Sequence, residues 1–250
     1  MANEITLFSG QDIRLKLTYY APGIFQAAHR HSKASYSSLL AGGFCEESDG
    51  GCLNAEGPEV LFRPPGFEHE NDFGPFGALI LSISASDLPL CQERPDLASS
   101  HVRQTMLRMA GAPETAWALA PSLFMSSGTS RERGPSTCDA HAIRLRVNAA
   151  IAALPDGARV ARLSHLMGVH RVHLARLCRE NGLSPPREAL AWKRRSRAVQ
   201  AITCSMTPLA DVAAICGYAD QAHMTRDIKA SCGQTPLRLR RTLGPAHAAS

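Results

Sequence analysis

The chain has 250 residues, of which 44% are hydrophobic and 20% charged, a composition that excludes a largely disordered protein and leaves room for one or two domains. No apolar run approaches the ~18 residues of a membrane-spanning helix, and the first ten residues, MANEITLFSG, lack the basic and apolar regions of an export signal. The net charge of +5 conceals a split: residues 1–139 carry 10 basic and 16 acidic residues, a balance of −6, and residues 140–250 carry 17 and 6, a balance of +11. Such asymmetry suggests an acidic module joined to a basic module that meets a polyanion, although a solvated basic face gives the same count. The eight cysteines include no CxxC pair and read as reduced thiols of a cytoplasmic protein.

Residues 1–98 read as β structure. Short apolar or alternating runs recur at 13–20 (IRLKLTYY), 35–44 (SYSSLLAGGF), 59–64 (EVLFRP) and 77–84 (GALILSIS). Turn-forming clusters at 48–51 and 72–77 separate them, a pattern of many short strands that predicts a sandwich or barrel.

Residues 99–139 change period. Val102, Met106, Met109 and Ala110 lie at helical spacing, and after Gly111-Ala112-Pro113 a second helix is predicted from Ala116 to Phe124. The stretch 126–139, SSGTSRERGPSTCD, reads as an exposed linker.

Residues 140–250 read as one domain, all-helical over 140–243, with breaks at Pro155-Asp156-Gly157, Gly168, Asn181-Gly182, Thr207-Pro208, Gly217 and Gly233. Thr207-Pro208 predicts a hydroxyl N-cap followed by Pro at the first helical position. A weak repeat links 168–185 with 217–236: an apolar helix, a Gly turn, a second helix with an apolar-x-Arg step (Leu174-Ala175-Arg176, Met224-Thr225-Arg226), then Gly and Ser/Thr-Pro. This is a helix-turn-helix written twice. Leu174, Leu177 and Cys178, and in the repeat Met224 and Ile228, form the buried stripe, while Ser164 and Ala213 allow the helices to approach. The other face is left to solvent: Arg171, Val172, Ala175, Arg176 and Arg179 in one unit, Gln221, Ala222, His223, Thr225, Arg226 and Lys229 in the other. Such faces suit the major groove, where Arg recognises guanine and Gln adenine. Between them, PREALAWKRRSRAVQAIT (186–203) predicts a basic connecting helix of ~27 Å, able to hold two recognition helices roughly one DNA turn apart.

Residues 140–243 resemble the DNA-binding domain of AraC/XylS-type transcriptional regulators, most closely in DVAAICGYADQAHMTRDIKASCGQTPLRLRR (211–241). The resemblance implies that Arg176 and Arg226 contact DNA, the alternative being salt bridges within the helix, that the helices at 99–125 carry homodimer contacts, the alternative being that their apolar stripes cover the barrel, and that RNA polymerase is a candidate partner. Cys178, Met224 and Ile228 stand where the family usually has Phe, which implies a less aromatic core.

GIFQAAHRH (23–31) and GPEVLFRPPGFEHEN (57–71) resemble the two cupin motifs and supply His29, His31 and, after Pro64-x-Gly66, His69. The resemblance implies a double-stranded β-barrel. His29 and His31 share a strand face, so a three-histidine metal site is geometrically feasible. No carboxylate follows His31 in Ser32-Lys33-Ala34-Ser35-Tyr36, however, so the favoured expectation is an effector pocket bordered by His29, His31, Tyr36 and His69, with no metal or other cofactor. Cys45 and Cys52 read as packing or loop thiols, with oxidant or metal sensing as the alternative. No catalytic motif is present: the chain lacks GxSxG, a P-loop, GxGxxG and HExxH.

The combined expectation is an α+β protein and a non-enzymatic, DNA-binding transcription regulator, activator or repressor, that responds to a small molecule. A metal-dependent cupin enzyme fused to a DNA-binding domain and a ligand-independent regulator are the alternatives.

Overall fold

The computed structural model of the protein describes residues 2–10, 12–86, 100–115, 118 and 138–245. These form an α+β architecture. Strands β1 (Ala2–Gly10), β2 (Ile13–Tyr20), β3 (Phe25–Arg30), β4 (Ala34–Ser48), β5 (Gly51–Ala55), β6 (Val60–Arg63) and β7 (Glu68–Ala85) come first. Helices α1 (Ser100–Gly111), α2 (Cys138–Ala153), α3 (Val160–Leu166), α4 (Arg171–Glu180), α5 (Pro186–Cys204), α6 (Leu209–Ile215), α7 (Gln221–Cys232) and α8 (Pro236–Leu243) follow.

The sheet is antiparallel at every pairing, in the order β1-β2-β7-β4-β5, with β3 also on β7 and β6 also on β4. The two long strands each serve two sets of neighbours. The first half of β7 pairs with β3 (His29 opposite His69), and its second half pairs with β2 (Leu17 opposite Leu81). The strand expected to start at 77 therefore starts at Glu68, and the turn expected at 72–77 is a bend within β7. Gly77 makes this bend at φ +64°, and β4 shifts register opposite it between Gly42 and Phe44. Both glycines are required there: a Cβ on Gly42 (φ +83°) would stand 1.9 Å from the Gly77 carbonyl oxygen.

Alternation along the strands gives the sheet two unlike faces. One carries Leu15, Leu17, Tyr19, Tyr36, Phe62, Leu79, Leu81 and Ile83, and forms a single core with Met106 and Met109 of α1, Ile202 of α5, Met224 and Ile228 of α7, and Leu239 and Leu243 of α8. The other carries Leu39, Phe44, Leu61, Phe73 and Ile80, with Trp192 of α5 packed against them. The first helix-turn-helix unit has a separate core of Val147, Leu154, Leu163, Leu174 and Cys178. The second unit is thus joined to the sheet while the first stands apart.

Helix α1 covers the sheet: Val102, Met106, Met109 and Ala110 are all buried within the chain. The apolar stripe that the family resemblance assigned to dimer contacts is consumed in this way. Apart from residue 118, which is helical, the second helix expected at 116–124 lies outside the described residues, as does the linker expected at 126–139 up to residue 137; α2 begins at Cys138, two residues before the expected boundary.

Candidate nucleic-acid interface and histidine cluster

Each helix-turn-helix unit is built by local rules. In the first, α3 ends at a turn containing Gly168 (φ +66°), and His170 N-caps α4 by accepting from the Val172 amide. In the second, Gly217 (φ +75°) makes the turn after α6, and Asp220 N-caps α7 by accepting from the His223 amide at 2.6 Å. Gly217 also lies against Gly157, whose Cα would be 2.3 Å from an added Cβ, so the turn is the point at which the two units touch. Ser164 and Ala213 are buried between their helices, as are Leu174, Cys178, Met224 and Ile228. The aliphatic and thiol replacements for phenylalanine fill the core without an aromatic ring.

Thr207 does not cap α6. Its helix has Pro208 at the N-cap position with no side-chain bond, and Ser205 donates its hydroxyl to Thr207 Oγ1 at 3.0 Å instead. The hydroxyl-cap-and-proline arrangement occurs at α8, where Thr235 accepts from the Arg238 amide and Pro236 opens the helix.

The outer faces of α4 and α7 are open. Arg171, Val172, Ala175, Arg176 and Arg179 are exposed, as are Gln221, Ala222, Arg226 and Lys229; His223 and Thr225 are half-buried. Arg176 makes only a 3.8 Å contact with Glu180 and a 2.9 Å contact with His173, both at the surface, and Arg226 makes no ion pair among the described residues. His223 has a partly structural role, since its ring meets Tyr218 edge-on at 5.3 Å.

The basic residues of the connecting helix α5 are otherwise engaged. Lys193 Nζ donates to the carbonyls of Ile151, Ala152 and Leu154 at the end of α2, where a cation is favoured. Arg197 pairs with Asp156 at 2.7 Å, Arg195 pairs with Asp227 at 3.0 Å, and the Arg194 guanidinium lies 4.7 Å from the Tyr218 ring centre. Asp227 also accepts from the Tyr218 hydroxyl at 2.8 Å. These four cations brace α5 against its neighbours, whereas the cations of α4 and α7 stay exposed, as do Arg146, Arg159, Arg162, Arg187, Arg238 and Arg241 elsewhere in the domain.

The sheet holds the second cluster. His29 and His69 face each other across β3 and β7, with ring centres 4.4 Å apart, and His31 joins them at 4.9 and 5.2 Å. A ligating nitrogen from each falls within 4.8 Å of the others. Tyr36, expected beside them, is on the opposite face: it packs on Phe62 in the core shared with the helices, whereas the next residue, Arg63, points toward the histidines. The carboxylate nearest the histidines does not follow His31 in the chain. Glu46 comes from the far half of β4, fifteen residues on, with Oε2 3.8 Å from His69 Nε2. It is buried and held by Arg63 through Nε at 2.9 Å and through a second contact from Nη2.

This environment favours neutral imidazoles at His69 and His31. Burial, then the Arg63 charge and the neighbouring histidines, push His69 down to about 3, and burial followed by His29 lowers His31. His29 Nδ1 meets the Ala27 carbonyl at 3.0 Å, which leaves Nε2 with its lone pair. Two buried polar atoms here, His69 Nδ1 and Asn71 Oδ1, both on the inward side of β7, have no partner among the described residues. Three imidazoles within 4.8 Å and an unpartnered Nδ1 fit a divalent cation; the Glu46 carboxylate is already committed to Arg63.

Residues 163–242 match the model of a helix-turn-helix domain family. The C-terminal region is an AraC-type helix-turn-helix domain. In this AraC-type domain the match spans both recognition helices and the connecting helix α5. No curated protein matches the chain. Solved structures similar to the sheet region include a cupin superfamily protein from Desulfitobacterium hafniense (17% identity, 35% of this chain and 79% of that one, TM-score 0.32). A cupin domain from Bordetella pertussis is 20% identical over 34% of this chain and 92% of that one, with a TM-score of 0.29. Among the described residues no helix is long and apolar enough to cross a membrane.

Proposed function

We propose that the protein is a sequence-specific transcription regulator that binds promoter DNA through α4 and α7 and responds to a small molecule held in its sheet domain. The observation that carries the reading is the pair of exposed faces, Arg171/Val172/Ala175/Arg176/Arg179 and Gln221/Ala222/His223/Thr225/Arg226/Lys229, on the second helix of each unit. Arg226 and Gln221 carry bidentate groups suited to guanine and adenine edges. Val172 and Ala175 are short, so the first unit reads a thymine methyl or DNA shape. The protein acts in the cytoplasm, meets RNA polymerase at the promoter, and either activates or represses; a homodimer would form through a surface other than the α1 stripe, which is buried within the chain.

The sensing part of the reading rests on the unpartnered His69 Nδ1 and Asn71 Oδ1 beside Arg63 and Glu46. Buried polar atoms without partners are costly, and a ligand with polar groups would satisfy them. From there the inward face leads through Phe73 and Phe44 to Trp192, whose indole N–H donates to the Gly42 carbonyl at 3.0 Å. Trp192 sits on the helix that joins the two recognition units, so a change in the sheet reaches their spacing through it. Selection of a duplex from a random pool by the full chain, followed by footprinting, tests the DNA reading. Protection of two half-sites about one helical turn apart is expected.

A second reading, a metal-dependent site at His29, His31 and His69, is favoured by their 4.8 Å clustering. Metal analysis of full-length protein purified without chelator separates the two. A stoichiometric metal lost in His29→Ala/His69→Ala supports a metal sensor or enzyme over an organic effector.

A further inference from the structure

A second donor cluster lies on the other side of β4 from Glu46. Phe44 and Glu46 are buried, and Cys45 and Glu47 alternate with them onto the outer face. Cys52 of β5 is the cross-strand partner of Glu47 and lies diagonal to Cys45, whose own partner is Asn54. The two sulfurs are 2.9 Å apart, and both fall within 4.8 Å of a Glu47 carboxylate oxygen. Asp72 of β7 flanks Cys45 on its other side. The charges that act on Cys45 come from Cys52, Glu47 and Asp72, all anionic when ionised, and neither Glu47 nor Asp72 has a cationic partner among the described residues. Cys52 and Glu47 are exposed, so the cluster opens to solvent.

We propose that Cys45, Cys52 and Glu47 bind a thiophilic divalent cation of the zinc class. In a tetrahedral site, thiolates ~2.3 Å from the ion stand about 3.8 Å apart. The sulfurs need separate by only roughly 1 Å, a side-chain rotation. Binding displaces the two thiol protons, and the resulting thiolates with the Glu47 carboxylate leave a fourth position for water. A disulfide is less well served. Diagonal residues on paired strands have α-carbons about 7–8 Å apart, beyond the ~4.4–6.8 Å that a disulfide spans. An ion placed between the sulfurs bridges them without drawing the strands together. This site is distinct from the histidine cluster and independent of how that cluster is used.

Cobalt(II) titration of the reduced full-length protein tests it, because only thiolate ligands give an intense near-ultraviolet charge-transfer band. The band should saturate at one equivalent, vanish in Cys45→Ser/Cys52→Ser, and persist in His29→Ala/His69→Ala. Glu47→Gln, which leaves both thiols and the strand pairing intact, should weaken cobalt binding by at least about tenfold; this variant carries the test if the double cysteine variant fails to fold. Absence of the band in the wild type, its survival in the folded cysteine variant, or a Cys45–Cys52 disulfide whose reduction yields no cobalt site would each overturn the proposal.

Discussion

Arg63 is the residue on which the interior of the sheet domain depends. Its guanidinium is the ion-pair partner of Glu46, and both side chains are almost fully buried. Arg63→Ala would leave a carboxylate buried without its counter-charge, a loss of about 3–5 kcal/mol. Replacing both, as in Arg63→Met with Glu46→Leu, should cost much less, because no charge is stranded. Urea denaturation of the three proteins checks this, and equal losses in the single and double variants would refute it. His69 adds a pH dependence. Its folded-state value of about 3 lies below the ordinary 6.5, so the unfolded chain takes up the proton first as pH falls. Stability is unaffected by this group above about pH 6.5 and declines between 6.5 and 3. In His69→Gln the decline over that window should be shallower; an unchanged slope would show that His69 is not the source. Neither Glu46 nor the position of Tyr36 was legible in the sequence. Glu46 reaches the histidines only through strand pairing across β4 and β7, and Tyr36 faces away because register, not proximity in the chain, decides which side of the sheet it serves.

At the scale of elements, the helix-turn-helix units were the most legible part of the chain. Their signals are local: a glycine with positive φ, an N-cap, and an apolar stripe at helical spacing, all contained within about 20 residues. Gly217→Ala tests the turn. The new methyl would meet Gly157 at 2.3 Å in a left-handed backbone, so the second unit should lose more than the ~1 kcal/mol of an ordinary glycine replacement. Gly168 also has positive φ but faces open space, so Gly168→Ala should cost less; thermal melts of the two variants distinguish them. The sheet was less legible. β2 matched its predicted run residue for residue, but β1 alternates only between half-buried and exposed residues with none fully buried, and β5 (Gly51–Ala55) begins at the glycine of a turn cluster and carries one large apolar side chain, Leu53. The bend at Gly77 imitated a turn because glycine and proline mark both, and only the pairing of β7 with β4 on either side of it tells them apart.

At the scale of the molecule, the sequence division into an acidic and a basic module is real in charge but not in packing. The second recognition unit shares its core with the sheet, and Gly42 donates to Ser196 while Arg103 joins the carbonyl of Leu39 to that of Ser231. A fragment of residues 140–250, which charge alone would suggest as a self-sufficient DNA binder, exposes Ile202, Leu239 and Leu243 when cut from the sheet. It should therefore melt below the full chain, and a melting temperature equal to the full chain's would contradict the shared core. The same packing gives the sheet a mechanical hold on α5 through Trp192, so Trp192→Phe should blunt the effector response of a promoter reporter while leaving unliganded DNA binding within a few-fold of wild type.

We propose that the open faces of α4 and α7 read duplex DNA. The most direct measurement is fluorescence anisotropy of the full chain on its selected duplex across a salt series, with wild type and Arg226→Ala compared. Binding should fall linearly on a log–log plot with rising salt, because phosphate contacts release counterions. Arg226→Ala should lose about 1–3 kcal/mol, roughly fivefold to 150-fold, on the selected site and discriminate less among sequences while its helical circular dichroism is retained. A flat salt response, or a folded Arg226→Ala protein with undiminished affinity and selectivity, would contradict the account.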